Sequence, residues 1–213
     1  SKMDLIVGTY DGNIKYYMNT GTIKNPVFTA QTGTKNPFVA INLQVYAVPM
    51  LVDVDNDSTL DLVAKNGNGD IVFFQNTGSA RNPVFTEKTG VSNPYNGINV
   101  GRFGAPILVD MGLVAVVQQP EVIKFWQNTA SLSQPSFIDQ TGAANPFGGI
   151  NVGNYVNAAP FFGDLNADGT MDMIVGNGDG KINYYINTGS DFNEQVCEFV
   201  NLFVCLFFLR KVF

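Results

Sequence analysis

An eight-residue pattern occurs four times along this chain and constrains its fold more than any other feature. Ile14-Lys15-Tyr16-Tyr17-Met18-Asn19-Thr20-Gly21 returns as Ile71-Val72-Phe73-Phe74-Gln75-Asn76-Thr77-Gly78, as Ile123-Lys124-Phe125-Trp126-Gln127-Asn128-Thr129-Ala130, and as Ile182-Asn183-Tyr184-Tyr185-Ile186-Asn187-Thr188-Gly189. The Asn positions 19, 76, 128 and 187 are 57, 52 and 59 residues apart. Other landmarks keep step: Asn25-Pro26-Val27-Phe28 with Asn82-Pro83-Val84-Phe85, then Asn36-Pro37-Phe38, Asn93-Pro94-Tyr95 and Asn145-Pro146-Phe147, then Pro49, Pro106 and Pro160. Each unit of such a repeat buries its apolar face only against its neighbours.

Within a cycle the pattern is β. Leu60–Ala64 and Ile71–Phe74 are short β-branched or aromatic runs around Asn66-Gly67-Asn68-Gly69-Asp70, which reads as a hairpin. Further strands are expected near Pro83–Thr86 and Pro106–Asp110, and no stretch has a helical period. Four short strands per repeat predict an all-β chain of β-propeller blades, each of four antiparallel strands. The aromatic pairs (Tyr16/Tyr17, Phe73/Phe74, Phe125/Trp126, Tyr184/Tyr185) are expected to put one ring on each blade face, as core. The repeats are read as residues 3–59, 60–112, 113–170 and a partial 171–190. A hydrophobic tail over 191–213 leaves the pattern and falls short of the roughly 20 apolar residues that a membrane span needs.

Composition narrows the chemistry. The chain has 213 residues, of which 45% are hydrophobic, enough for a real core, and 24 Asn beside 22 Gly imply many tight turns. It has no His, which removes Ser-His-Asp and Cys-His nucleophiles, HExxH zinc sites and imidazole acid–base work. A net charge of −6 without a basic cluster argues against nucleic acid. Both cysteines, Cys197 and Cys205, lie in the tail, so the body has no disulfide scaffold.

What remains for a metal is oxygen chemistry, and two acidic loops at one phase of the repeat supply it. In the first, Asp53, Asp55, Asp57 and Asp61 stand at positions 1, 3, 5 and 9; in the second, Asp164, Asn166, Asp168 and Asp172 do. Alternate spacing turns oxygens toward one point, as in the first half of an EF-hand loop, and Thr59 and Thr170 at position 7 would add a backbone carbonyl. Converging carboxylates imply a cation, and all-oxygen ligands select Ca²⁺ over Mg²⁺. The plain alternative is a set of Asx turns. The loops differ at position 6, which is Gly169 in one and Ser58 in the other. In the third cycle only Asp110-Met111-Gly112 survives, so no metal is expected there, and Asp4 reads as the ninth position of a loop that lies before Ser1.

Taken together, these motifs resemble the FG-GAP/VCBS repeat family, whose propeller forms the integrin α-subunit head; even Phe103-Gly104-Ala105-Pro106 matches its name fragment. The resemblance covers about residues 3–190. It implies Ca²⁺ at the two loops, an extracellular or cell-surface location, and a role in adhesion or ligand binding. Family propellers close with more blades than are visible here, so the chain is expected to be part of a larger one. The leading functional reading is a non-catalytic, calcium-binding module for an extracellular protein or glycan, without membrane insertion. A multivalent lectin is the alternative, because the repeated Asn-Pro-aromatic and Gly-Ile-Asn stretches offer amides and rings of the kind sugars use. A metal-dependent lyase or phosphodiesterase ranks below both, since no polar constellation outside the acidic loops offers a general base.

Overall fold

The computed structural model describes residues 2–109, 112–118, 121–131, 134–153, 158–189 and 192–197. They form an all-β chain of four antiparallel sheets laid out in sequence order. The first sheet has β1 (Leu5–Gly8), β2 (Ile14–Asn19) and β3 (Phe28–Gln31). The second has β4 (Val48–Val52), β5 (Asp61–Lys65), β6 (Ile71–Asn76) and β7 (Phe85–Lys88). The third has β8 (Ala105–Val109), β9 (Gly112–Gln118), β10 (Glu121–Asn128) and β11 (Phe137–Gln140). The fourth has β12 (Ala159–Gly163), β13 (Asp172–Gly176), β14 (Ile182–Asn187) and β15 (Phe192–Cys197). Helix among the described residues is confined to single 3₁₀ turns at Gly33–Lys35, Gly90–Ser92 and Gly142–Ala144. No helix among them is long and apolar enough to cross a membrane.

The second, third and fourth sheets each open on their Pro-led strand, so the cuts read from sequence at 59/60 and 170/171 fall between the first and second strands of a sheet. The fourth sheet also runs past residue 190. β15 pairs with β14 in the register Ile182↔Cys197 to Asn187↔Phe192, inside the segment expected to leave the repeat. Residues 198–213 of that segment lie outside the described residues.

Successive sheets pack through their opening strands, β1 against β4, β4 against β8 and β8 against β12. The core is three clusters, one between each neighbouring pair. The strand period of two explains why. In β5, Leu62 and Ala64 join Ile14 and Phe38 of the first unit, whereas Val63 joins Leu113 and Trp126 of the third sheet. All three are fully buried, as befits a strand covered on both faces. The paired rings divide the same way: Phe73 packs toward the third sheet and Phe74 toward the first, while Phe125 packs toward the fourth sheet and Trp126 toward the second.

The recurring Asn residues are fasteners. Asn76 Oδ1 accepts the amides of Gly78 and Val84, both at 3.0 Å, and Asn19 and Asn128 hold the equivalent turns. Asn93 donates to the Ile71 carbonyl at 3.1 Å and accepts the Tyr95 amide at 2.9 Å, as Asn36 and Asn145 do in their own cycles. This buries the following ring. Phe38 stacks on Phe85 at 4.9 Å and Tyr95 on Phe137 at 4.7 Å, each ring meeting the outer strand of the next sheet. The Asn-Pro-aromatic amides and rings therefore serve the fold.

Candidate metal centre

The turn from β4 to β5 builds the first acidic loop. Asp53 closes it by accepting the amides of Asp57 at 3.0 Å and Ser58 at 2.9 Å. Asn56 and Ser58 take positive φ (58° and 70°), and Ala167 and Gly169 repeat this at the same places of the second loop (63° and 86°). Glycine meets that demand at no steric cost, whereas Ser58 carries it against its Cβ.

Asp61 begins β5 and is fully buried. Its Oδ2 accepts the Val54 amide at 3.0 Å and its Oδ1 the Asn76 amide at 2.7 Å, tying the loop to the end of β6. Burial pushes its pKa upward; the two amides oppose this, and the charges of Asp55 and Asp57 add to it. Oxygens of Asp53, Asp55 and Asp61 lie within 4.8 Å of one another. Asp55 Oδ2 accepts from Gln75 Nε2 at 2.6 Å, while Asp55 Oδ1 is buried without a hydrogen-bond partner. A buried carboxylate oxygen left unpaired is costly, and a hard cation among three carboxylates removes that cost. The donor set therefore fits Ca²⁺. Asp57 stands apart: its Oδ1 accepts the amide and hydroxyl of Thr59, both at 2.7 Å.

The second loop has the same backbone but distributes its side chains differently. Asp164 accepts the amides of Asp168 and Gly169, both at 3.1 Å. Asp168 accepts the amide of Thr170 at 2.8 Å, its hydroxyl at 2.6 Å and the Asn166 amide group at 2.8 Å, contacts that hold its pKa below the usual value. Asp172, fully buried, accepts Leu165 and Asn187 amides at 3.2 and 2.9 Å and also the Tyr184 hydroxyl at 2.9 Å. Asp164, Asp168 and Asp172 do not gather as Asp53, Asp55 and Asp61 do.

The difference traces to one strand away. Tyr16 donates to Asp4 at 2.6 Å just as Tyr184 donates to Asp172, and the burial beside Asp4 pushes the Tyr16 phenol up to about 12. Phe73, paired with Val63 two residues beyond Asp61 as Tyr184 is paired with Ile174 two beyond Asp172, holds the equivalent place and has no hydroxyl. Asp61 therefore keeps a lone pair that the other ninth-position carboxylates spend on tyrosine. Gln75, which orients Asp55, stands where Met18 and Ile186 stand in their repeats. The motif spacing marks neither residue; comparing Phe73 and Gln75 with their counterparts in the other cycles is the signal that would have. Asp4, met in sequence as an orphan, also accepts the Asn19 amide at 2.7 Å, so the ninth-position carboxylate joins strands in three sheets. In the third sheet Gly112 occupies that place, and a Cβ there would meet the Trp126 carbonyl oxygen at 2.2 Å. Asp110 and Met111 lie outside the described residues.

No family model and no curated protein matches the chain. Among solved structures it is similar to a lectin from Agrocybe aegerita described for specific recognition of non-reducing terminal N-acetylglucosamine, at 17% identity and a TM-score of 0.47. The match covers 91% of this chain and 52% of the lectin chain, so this chain spans about half the length of that protein.

Proposed function

We propose that the chain is a non-catalytic, propeller-type repeat module that binds glycan at equivalent surface clefts, with Ca²⁺ in the Asp53–Asp61 loop stiffening its second sheet. The observation that carries the glycan reading is a pair of clefts at the same phase of the repeat. Lys15, Gln31 and Thr32 line one beside the first 3₁₀ turn; Lys124, Gln140 and Thr141 line the other beside the third. The first measures about 370 Å³ and the second, more open, about 1370 Å³, against roughly 300–1,000 Å³ for small-molecule sites. Neither Thr32 nor Thr141 caps its turn with its side chain, so the hydroxyls are not spent on the fold there. Hydroxyl, amide and ammonium groups beside Tyr17 form a surface suited to a sugar's hydroxyls and ring face.

Calorimetric titration is expected to show two equivalent sites for a sugar, with terminal N-acetylglucosamine included among the probes. Thr32→Ala with Thr141→Ala is expected to weaken binding at each site by about fivefold, the order of the one hydrogen bond each cleft loses. A single site indifferent to both changes sinks the cleft reading. Val27 and Val84, each 57% exposed at equivalent rim positions, favour a protein partner as the second reading; binding to a protein surface lost on Val84→Asp would establish it.

The calcium part is tested separately. Extracellular calcium modules bind at about 10⁻⁴–10⁻³ M, so the proposal puts the module where calcium is plentiful. Saturation to a hundredfold over the dissociation constant adds about 2.7 kcal/mol, which for a chain of this size raises the melting temperature by about 5–10 °C. Phe73→Tyr is expected to remove most of that rise by offering Asp61 the hydroxyl that Tyr184 gives Asp172. It also raises the melting temperature in chelator. Equal calcium shifts in both proteins would refute the assignment.

A further inference from the structure

The opposite end of β5 carries the converse problem, buried positive charge without an anion. Lys65 pairs across from Val48 and is fully buried, at a position held by Gly8 and Gly176 in the first and fourth sheets. Its Nζ donates to the Arg102 carbonyl at 2.6 Å, one acceptor for three donors. Arg102 is itself exposed, with its guanidinium carbon 5.2 Å from the Tyr46 ring centroid and 5.7 Å from that of Phe103. Among the described residues no carboxylate pairs with Lys65 or Arg102, in a chain whose net charge is −6.

The rings form a built surface. Tyr46 and Phe103 each stand two residues before the opening strands β4 and β8 and meet edge to face at 5.3 Å, and Tyr10, 68% exposed, packs on Tyr46 at 4.9 Å. Tyr46 is held at a φ of 53°, and Gln44 at 72° where the other repeats have Gly101 and Gly153. A bulky side chain in the left-handed region persists only where its surroundings over-determine it, and such strain concentrates at ligand sites.

We propose that Arg102, Tyr46 and Tyr10 form a single site, distinct from the repeated clefts, for an anionic sugar bearing a carboxylate or sulfate. The guanidinium pairs with the anion in bidentate fashion while the tyrosine rings meet the apolar face of the sugar. Lys65 does not touch the ligand. Its buried ammonium beneath the Arg102 backbone adds positive field, and it is a positioning residue. This inference rests on the glycan reading and narrows its ligand class.

The test titrates the full chain with glucuronic acid, glucose 6-sulfate and neutral glucose. At least one acidic sugar is expected to bind about tenfold tighter than glucose, with the preference falling as salt is raised. Arg102→Ala is expected to abolish that preference and keep the fold, since the carbonyl that Lys65 uses remains. Tyr10→Ala, at an exposed ring, is a second variant expected to weaken all acidic binding while sparing the melting temperature. The responding arm identifies the anion as carboxylate or sulfate. Equal affinity for all three sugars, or an acidic preference that survives both variants, overturns the inference; glucose binding that still depends on Thr32 and Thr141 then leaves the cleft reading standing. Absence of binding to any sugar overturns both.

Discussion

Asp61→Ala is expected to lower the stability of the chain by about 3–5 kcal/mol, even in chelator. The reason is not the metal. Asp61 is fully buried and its two oxygens accept the Val54 and Asn76 amides, which lie on the loop and at the end of β6. Truncation strands both donors in a site water does not reach, and each stranded donor costs about 1–3 kcal/mol. Against a total of about 5–15 kcal/mol the variant sits near the edge of folding. Asp61→Asn keeps the shape and one acceptor oxygen while deleting the charge, so it separates the roles: a loss of about 1–2 kcal/mol in chelator and no response to calcium. Asp172→Ala is expected to cost as much as Asp61→Ala, because Asp172 holds the Leu165 and Asn187 amides in the same way. Asp57→Ala and Asp168→Ala, at exposed positions bonded mainly to their own threonines, are expected to cost less than about 1 kcal/mol. Melting all four in chelator gives the ranking. If Asp57→Ala is as damaging as Asp61→Ala, the ninth position is not the strand fastener described here.

The pH dependence carries the same signature with a definite sign. The folded pKa of Asp61 is raised, so the folded chain binds the proton more tightly than the unfolded one. Between the ordinary value of 3.8 and the raised value, stability in chelator falls as pH rises, and at neutral pH the full cost of the buried charge is present. A cation bound there as proposed would offset that cost.

The repeat was legible because a β period and a fixed order of turns survive in the residues themselves. The strands follow from short continuous apolar runs such as Leu62-Val63-Ala64, and the turns from Asn-Gly and Asn-Thr-Gly. Where one sheet ends was not legible, since a cyclic pattern reads the same from any starting strand. The structure breaks the tie physically. The Asp53–Asp61 loop is closed by its own side chains and stays within a sheet, whereas the segment around Gly90–Ser92 crosses to the next one, anchored by Asn93. The spacing of oxygens likewise marked both acidic loops as equals. Which loop gathers its carboxylates depends on Phe73 against Tyr184 and on Gln75, residues that reach the loop only through strand pairing. Lys65 was silent altogether. At the end of an apolar run it reads as a strand terminus in water, and only the Arg102 loop folded over it makes it a buried charge.

That buried charge supports the second large effect: Lys65→Met is expected to make the chain more stable at neutral pH, by about 1–2 kcal/mol. Burial, with the Arg102 charge nearby, lowers the Lys65 pKa from 10.5 to about 8. The folded chain therefore gives up this proton before the unfolded chain does. Between about 8 and 10.5 the unfolded state holds more protons and stability rises with pH, while below about 8 the whole penalty is present. A shift of this size corresponds to about 3 kcal/mol at most. Methionine fills the same unbranched volume without the charge, and the loss it brings is one hydrogen bond to the Arg102 carbonyl, about 1 kcal/mol. Melts of the two proteins across this pH range are expected to diverge below 8 and converge toward 10.5. A variant less stable than the wild type at pH 7 would mean that the ammonium is already compensated within the fold. A variant that gains stability while losing its preference for acidic sugars shows the opposite. The charge is then kept at the expense of stability for the sake of an anion, the trade expected of a ligand site and not of a core position.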